Sequence, residues 1–486
     1  MITLKNLSFS YEDSQPILKN LNLTIETGEV VCFTGPSGCG KTTLIRILNG
    51  LIPQYFEGEL QGEANINGTS LIDQDLYDIS KNCGSVFQNP RSQFFCLNTT
   101  SELAFEPENY GVDPALIAQD IAQVTKQNEM THLLDRNIFN LSGGERQLLA
   151  CAAVQVAHHD FIILDEPSSN LDFTTIEKLK RMIDQWKQQG KTIIIAEHRL
   201  YYLMDVADRF IVMSDGKIVD DYQSDTSNQL SQTVVTELGL RATDLRALQP
   251  NNHPFQNGRD MLTIKGLKYR YHKRGPWVLD IDELDIARGQ VTALIGHNGA
   301  GKSTFARCLT GMLNPNHGRI MFDQQVLTNK ERLKQIYMVF QEVSHQLFTE
   351  SVEEELLLSQ PGLTSDEIEA ALAKHQLAAL RQQHPIALSG GEQQRLAVAS
   401  AMVADRDVLV FDEPSSGLDG ARMREMSQQL KSLAAEGYTI ILITHDYELL
   451  LNCVDQVVEL EQGSVVAQYA LNKGSLVQLQ RFFNLI

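Results

Sequence analysis

Residues 35–42 read GPSGCGKT, and residues 296–303 read GHNGAGKS. Both octets fit the pattern G-x-x-x-x-G-K-[S/T], and each follows a short apolar run. In such a loop the glycines let main-chain amides wrap phosphate groups, while the start of the next helix adds its partial positive charge. One match can arise by chance in a chain of this length, but two matches predict two phosphate-binding loops.

The two octets open a longer internal repeat. LSGGE stands at residues 141–145 and again at 388–392, and DEP stands at 165–167 and again at 412–414. Ser142 and Ser389 are 247 residues apart, as are Asp165 and Asp412. A repeat of this length indicates a duplicated domain rather than the short unit of a solenoid.

The composition is that of an ordinary globular protein, with 43% hydrophobic and 21% charged residues among 486. A net charge of -20 disfavours nucleic acid as a partner, because affinity for its backbone comes from Lys and Arg. The apolar runs are far shorter than the roughly 18 residues of a membrane span. Seven cysteines without a C-x-x-C pair argue against a disulfide framework, a structural zinc or an iron–sulfur cluster.

The sequence predicts three segments. The first domain is expected at residues 1–221, an appended helix and linker at 222–260, and the second domain at 261–486. Apolar positions at helical spacing across residues 227–248 fit a helix or a helix pair, and QPNNHPFQNG at 249–258 has the composition of a loop.

Within each half, short buried strands and helices alternate, which predicts an α/β fold with a parallel sheet. The strands are expected at residues 30–33, 161–164 and 192–195, then 408–411 and 439–442; the helices are expected at 175–188 and 422–435.

Lys41 and Lys302 are placed to reach the β- and γ-phosphates of a nucleotide, and the next residues, Thr42 and Ser303, are placed to bind Mg²⁺. Each DEP motif ends an apolar strand, at the edge of the sheet where phosphates bind. We therefore expect Asp165 and Asp412 to hold Mg²⁺, and Glu166 and Glu413 to act as general bases on an attacking water.

Residues 142–145 and 389–392 have the S-x-x-E form of a helix capping box, before apolar helices expected to begin near Leu148 and Leu396. A helix cap alone would explain this pattern. The double glycine indicates more, because it lets a ligand approach the exposed amides closely.

The ordered set of motifs resembles the ATP-binding cassette (ABC) ATPases over nearly the whole chain. A glutamine after a strand, an LD pair and a histidine after the next strand complete the set in each half: Gln88, residues 171–172 and His198, then Gln341, residues 418–419 and His445. The resemblance implies two P-loop NTPase (RecA-like) ABC nucleotide-binding domains in tandem, each with a β-subdomain and a helical subdomain.

By this resemblance the two cassettes pair head to tail within one chain and sandwich two ATP molecules with Mg²⁺. The LSGGE motif is called the signature below. One site would combine the first phosphate-binding loop with the second signature; it comprises Tyr11, Gly35, Gly38, Gly40, Lys41, Thr42, Thr43, Gln88, Asp165, Glu166, His198, Ser389 and Gly391. The other would comprise Tyr271, Gly296, Gly299, Gly301, Lys302, Ser303, Thr304, Gln341, Asp412, Glu413, His445, Ser142 and Gly144. The tyrosines would stack on adenine, the glutamines would contact Mg²⁺, and the histidines would sense the γ-phosphate. Since neither half lacks these residues, both sites are expected to hydrolyse ATP.

A second glutamine, Gln93 or Gln346, lies five residues after the first and precedes a bulky apolar residue and a phenylalanine. This pattern, and AEHRLYYL at residues 196–203, resemble the energy-coupling factor ATPases. That resemblance implies uptake of a vitamin or metal ion at the cytoplasmic face of the membrane, with an integral membrane scaffold subunit and a small substrate-binding membrane subunit as partners.

Three other classes of cassette protein would differ from this sequence. A fused ATPase of a sugar importer has a similar length but often carries a degenerate second phosphate-binding loop. A soluble twin-cassette translation factor would have a long charged linker and a basic surface. A DNA-repair cassette protein would carry zinc cysteines or a long coiled coil within each half.

Overall fold

A computed structural model describes residues 1–12, 15–169, 171–224, 230–251, 261–404 and 406–486. These residues form two compact units: Met1–Leu245 with Gly417–Arg422, and Arg246–Ser416 with Met423–Ile486. Most of the predicted linker, residues 252–258, lies outside the described residues. In the described ranges, none of the helices combines the length and hydropathy that crossing a bilayer requires.

The strands of the first unit are β1 (Ile2–Tyr11), β2 (Leu18–Ile25), β3 (Val30–Thr34), β4 (Gly58–Ile66), β5 (Thr69–Ser70), β6 (Cys83–Val86), β7 (Phe161–Asp165), β8 (Thr192–Ala196), β9 (Arg209–Ser214) and β10 (Lys217–Gln223). Its helices are α1 (Lys41–Leu48), α2 (Leu51–Gln54), α3 (Leu76–Ser80), α4 (Thr99–Asn109), α5 (Pro114–Gln127), α6 (Gly143–Val156), α7 (Phe173–Gln188) and α8 (Gln232–Glu237). An antiparallel sheet has the order β2-β1-β4-β5, and a larger sheet has the order β10-β9-β3-β8-β7-β6.

The strands of the second unit are β11 (Met261–Tyr269), β12 (Leu279–Ala287), β13 (Val291–Ile295), β14 (His317–Phe322), β15 (Gln325–Val326), β16 (Ile336–Val339), β17 (Val408–Asp412), β18 (Thr439–Ile443), β19 (Gln456–Glu461) and β20 (Ser464–Ala470). The helices of the second half of the chain are α9 (Lys302–Thr310), α10 (Asn329–Gln335), α11 (Val352–Ser359), α12 (Ser365–Lys374), α13 (Gly390–Val403), α14 (Gly420–Ala435), α15 (Tyr447–Cys453) and α16 (Leu476–Phe482). The sheets have the orders β12-β11-β14-β15 and β16-β17-β18-β13-β19-β20, so the sheet plan is duplicated.

The predicted parallel sheet is confirmed in both units. β3 pairs in parallel with β8 and β9, and β13 pairs in parallel with β18 and β19. Both central strands are buried along their whole length. Val31 and Phe33 face the core shared with α1 and the antiparallel sheet, while Val30 and Cys32 face the core of α6 and α7. Burial on both faces explains why these strands read as continuous apolar runs.

Two local expectations were wrong. The helix or helix pair expected across residues 227–248 is confined, among the described residues, to α8, because Gly239 with φ 68° follows and ends it. Leu240 and Leu245 are nevertheless buried, so their spacing reflects packing rather than helix. The helices that follow the two LSGGE serines begin at Gly143 and Gly390, several residues before Leu148 and Leu396, where they were expected to begin.

Candidate functional site

Each phosphate-binding loop connects a central strand to a helix that begins at the loop lysine. The ammonium group of Lys41 donates to the carbonyl oxygens of Gly35 at 3.0 Å and Pro36 at 3.1 Å. Lys302 donates equivalently to Gly296 at 2.6 Å and His297 at 3.2 Å. Both lysines are buried, so the loop carbonyls hold each charge in place above the helix N-terminus.

The loop glycines are required by the backbone and by crowding. Gly40 and Gly301 precede the helices with φ 104° and 101°, which L-residues rarely adopt. A Cβ at Gly35 would lie 2.0 Å from the Met213 carbonyl oxygen, and one at Gly296 would lie 2.3 Å from that of Leu460. The predicted glycines Gly38 and Gly299 have φ 81° and 82° and face open space, where a phosphate could approach.

A hydroxyl and a carboxylate meet at the start of each helix. Thr42 Oγ1 donates to Asp165 Oδ1 at 3.3 Å, and Ser303 lies near Asp412 at the equivalent place in the second unit. Burial, with the charge of Glu166, raises the pKa of Asp165 to about 7, and burial also raises the pKa of Asp412. Adjacent hydroxyl and carboxylate oxygens suit Mg²⁺, which prefers hard oxygen ligands, so these residues fit the expected ion.

In the first unit, Glu166 contacts two other predicted site residues. Its Oε2 accepts a hydrogen bond from Gln88 Nε2 at 2.7 Å, and its Oε1 lies 3.4 Å from His198 Nε2. Glu166 has φ 43°, and its N–H donates to the Ala196 carbonyl at 2.8 Å, which fixes it between β7 and β8. Gln88, Glu166 and His198 therefore form one connected group.

In the second unit, Glu413 is fixed in the same way by φ 49° and by its N–H bond to the Ile443 carbonyl at 2.8 Å. Its carboxylate accepts from Thr444 Oγ1 and from the His445 N–H, both at 3.2 Å, and His445 Nε2 lies 3.7 Å from it. Gln341 lies two residues after β16, as Gln88 lies two residues after β6.

The two predicted adenine-stacking tyrosines lie beside the helices that follow the loops. The Tyr11 hydroxyl is 3.4 Å from Thr43 Oγ1 and accepts a hydrogen bond from Arg46 at 2.9 Å. The Tyr271 hydroxyl is 3.1 Å from Thr304 Oγ1, and this tyrosine is 53% exposed. Both phenols are thus held at the phosphate-binding helix of their own unit, and the stacking role stays a prediction.

The signature residues stand at helix starts, as the capping pattern predicted. Ser142 caps α6: its N–H donates to Glu145 Oε2 at 2.7 Å, and its Oγ accepts from the Glu145 N–H at 3.2 Å. Ser389 and Glu392 form the same box on α13. Gly144 and Gly391 follow in the first turns, and a Cβ at the adjacent Gly143 or Gly390 would meet open space. Ser389 and Gly390 are exposed and Gly391 is half-buried, so the start of α13 is accessible to a ligand, whereas at the start of α6 Gly143 is exposed and Gly144 is buried.

Two residues hold the loop after each strand-end glutamine: a second glutamine that the sequence had marked, and a glutamate that sequence reasoning missed. Gln93 Oε1 accepts the Phe87 N–H at 2.9 Å, and Gln346 Oε1 accepts the Phe340 N–H at 2.7 Å. A glutamate of the following helix then binds the next amides: Glu102 accepts from Phe95 at 3.0 Å and Cys96 at 2.7 Å, and Glu355 accepts from Phe348 at 3.0 Å and Thr349 at 3.2 Å. The repetition of a glutamate seven residues after each phenylalanine was the available signal.

Comparisons with known proteins match both halves of the chain to one family. The family model described as ABC transporter matches residues 18–169 and 279–416, and an AAA domain model matches residues 381–452. A Treponema denticola protein, provisionally named ABC transporter ATP-binding protein, is 42% identical over 99% of both chains. A Bacillus subtilis protein, provisionally named HMP/thiamine import ATP-binding protein YkoD, is 33% identical over 95% of this chain and 90% of that one.

Solved structures share the twin arrangement of the fold. The RNase-L inhibitor has a TM-score of 0.66 and 21% identity, covering 99% of this chain and 93% of its own. The archaeal ribosome recycling factor aABCE1 has a TM-score of 0.64 and 23% identity, covering 96% of this chain and 90% of its own. At such low identity these likenesses concern the fold alone.

Proposed function

This chain belongs to the ABC transporter family as a twin-cassette ATP-binding ATPase, and from that premise we propose that it powers import of a small solute through separate membrane subunits. The solute would be of the vitamin or metal-ion type, as in energy-coupling factor systems. The chain would act at the cytoplasmic face of the membrane, with a membrane scaffold and a small substrate-binding membrane subunit as partners.

For hydrolysis we assign the general bases to Glu166 and Glu413, which would take the proton of a water that attacks the γ-phosphorus. Lys41 and Lys302 would neutralise charge on the phosphates, and His198 and His445 would orient the carboxylates and contact the γ-phosphate. Mg²⁺, held by Thr42, Asp165 and Gln88 or by Ser303, Asp412 and Gln341, would neutralise phosphate charge when bound.

We further propose that the two cassettes pair head to tail. Each site would then combine one phosphate-binding loop with the signature helix of the other cassette. Ser389 and Gly391 would complete the site of Lys41, and Ser142 and Gly144 would complete the site of Lys302. The exposed Gly143 and Gly390 at the starts of α6 and α13 support this role, because main-chain amides at a helix N-terminus attract anions.

The observation that carries the transport proposal is a duplicated link between the ATP site and an exposed aromatic side chain. Phe95 and Phe348 are each 76% exposed, although phenylalanine is usually buried. Glu102 and Glu355 fix their main chain, and Gln93 and Gln346 tie the same loops to the residues before Gln88 and Gln341. Such a pair suits docking of two equivalent segments of a membrane scaffold.

The choice of an importer is supported by the likeness to the B. subtilis protein named for HMP/thiamine import. A sugar importer is disfavoured because both phosphate-binding loops keep all their motif residues. The soluble twin-cassette factor is the second candidate, since the RNase-L inhibitor and the recycling factor share the fold. An acidic chain of net charge -20 argues against a ribosomal partner, since such surfaces repel RNA.

The test is affinity capture of the Glu166→Gln/Glu413→Gln double variant from detergent-solubilised membranes with Mg-ATP, followed by mass spectrometry. Without its bases the chain should stay ATP-bound and keep its partners. Co-purification of one scaffold-type membrane protein with a small hydrophobic protein is the expected result. The matched control is the same variant without ATP. Recovery of ribosomes, or of no membrane protein, would replace the importer by the soluble factor.

A further inference from the structure

The two proposed general bases differ in the donors that hold them. In the second unit, the His445 N–H and the Thr444 hydroxyl both donate to Glu413, each at 3.2 Å. In the first unit, Glu197 stands where the second unit has Thr444, and the His198 N–H donates to Glu197 at 2.7 Å instead. The histidine amide has therefore changed its acceptor from the base to a neighbouring carboxylate.

Glu197 is almost fully buried, and its carboxylate is occupied within its own loop. Oε1 also accepts from the Arg199 N–H at 3.1 Å, and Oε2 accepts from the Tyr202 hydroxyl at 2.9 Å and the Ser168 N–H at 3.3 Å. Since a carboxylate has no proton to donate, Glu197 cannot supply Glu166 with the hydrogen bond that Thr444 supplies to Glu413.

Glu166 consequently relies on Gln88 for its short hydrogen bond, at 2.7 Å. Gln88 is also the residue assigned above to the Mg²⁺ shell, so engaging the ion would draw it from Glu166. Thr444 has no such second duty at the nucleotide. It is fully buried, and its hydroxyl also accepts the Asp446 N–H at 3.1 Å, which fixes its rotamer.

We propose that Thr444 is a positioning residue that orients Glu413, that the first cassette lacks this support because Glu197 replaces it, and that the site containing Glu413 consequently hydrolyses ATP faster. A general base that is already held in its catalytic orientation needs less reorganisation when ATP binds. This inference rests on the assignment of Glu413 as general base made under the proposed function.

The experiment measures ATP hydrolysis by the purified full chain with Mg-ATP, without membrane subunits. Glu166→Gln leaves only the site of Glu413 active, and Glu413→Gln leaves only the site of Glu166. We expect Glu166→Gln to retain at least about threefold more kcat than Glu413→Gln. Equal, measurable rates from the two variants would overturn the proposed inequality.

Thr444→Val removes the hydroxyl with little change in volume, and Thr444→Ser retains it. In the Glu166→Gln background, Thr444→Val should lower kcat about tenfold with KM for ATP changed by less than about twofold, because a misdirected base affects the chemical step rather than binding. Thr444→Ser should keep most of the rate. In the Glu413→Gln background, Thr444→Val should change kcat by less than about twofold.

A Thr444→Val chain as fast as its parent, or one slowed equally in both backgrounds, would refute the positioning role. Should either glutamine variant silence both sites, Thr444→Val and Thr444→Ser are compared in the otherwise unaltered chain, where only the valine variant should lose more than half of kcat. Full activity of Glu413→Gln would instead refute the base assignment itself. Loss with Glu413→Gln but not with Thr444→Val would refute only the inference drawn here.

Discussion

Gly35 and Gly38 stand three residues apart in the first phosphate-binding loop, yet a methyl group would meet different surroundings at each. At Gly35, with φ 143°, it would lie 2.0 Å from the Met213 carbonyl oxygen of β9. At Gly38, with φ 81°, nothing lies within 4 Å. The motif specifies Gly35 but leaves the position of Gly38 open, and the structure gives the reason: of these two glycines, only Gly35 is needed to pack the loop against the sheet.

We therefore predict that Gly35→Ala lowers the free energy of unfolding by about 2 kcal/mol or more, since backbone strain and a clash with a carbonyl combine. Gly38→Ala is the matched control and should cost only about 1 kcal/mol, from its positive φ alone. Thermal unfolding followed by circular dichroism compares the two. A Gly35→Ala chain that melts with or above Gly38→Ala would show that the loop tolerates the displacement.

At the scale of elements, hydrophobic runs and motif order predicted the parallel strands, the helices that follow the loops and the positions of Asp165 and Asp412. These features follow from burial on both faces and from the strand-end location of phosphate sites. The different donors of Glu166 and Glu413 could not be predicted, because a hydrogen-bond partner depends on side-chain positions that the motif does not fix. The loop at Gln93 was marked by sequence, but the contacts of Glu102 that hold it needed coordinates.

The surroundings of His375, at the end of α12, could not be predicted from the sequence either. In the repeat, His375 occupies the position that Asn128 occupies in the first unit. His375 is buried against α13 and α14: Nε2 lies 3.2 Å from Met402 Sδ, and Nδ1 lies 3.2 Å from Gln429 Nε2. Burial, with the nearby charges of Lys374 and Arg395 partly offset by Glu436, lowers the pKa of His375 to about 4. A neutral His375 is thus part of the packing of α12 against α13 and α14.

Because the folded pKa lies below the unfolded value near 6.5, the unfolded chain binds more protons between these values, and stability falls as pH falls from about 6.5 to 4. We predict that His375→Asn, which copies the first unit, removes this loss. Between pH 7.5 and 5, the stability of the unaltered chain relative to the variant should drop by about 2 kcal/mol. Urea unfolding at both pH values measures it, and a pH-independent difference would contradict the burial argument.

At the scale of the whole molecule, each unit presents an exposed phenylalanine, Phe95 or Phe348, on a loop that side-chain hydrogen bonds tie to the residue before Gln88 or Gln341. The duplicated sheet plan carries Gln93 with Glu102 in one unit and Gln346 with Glu355 in the other, and their hydrogen bonds hold the loop main chain rather than the proposed bases Glu166 and Glu413. Two equivalent docking residues fit a partner that receives the same movement from both cassettes.

We predict that Phe95→Ser combined with Phe348→Ser abolishes co-purification of membrane subunits, while ATP hydrolysis by the isolated chain stays within about twofold of the unaltered rate. Both changes remove apolar contact area at the proposed interface, where a few aromatic residues supply most of the binding energy. Tyr55→Ser is the matched control, since Tyr55 is 73% exposed and belongs to neither loop, lying in the chain between α2 and β4. Capture is scored as the ratio of membrane subunits to ATPase in the purified complex. Unchanged capture by the double variant would mean that the partner docks elsewhere, whereas equal losses with Tyr55→Ser would indicate a general effect of surface polarity rather than a site built around Phe95 and Phe348.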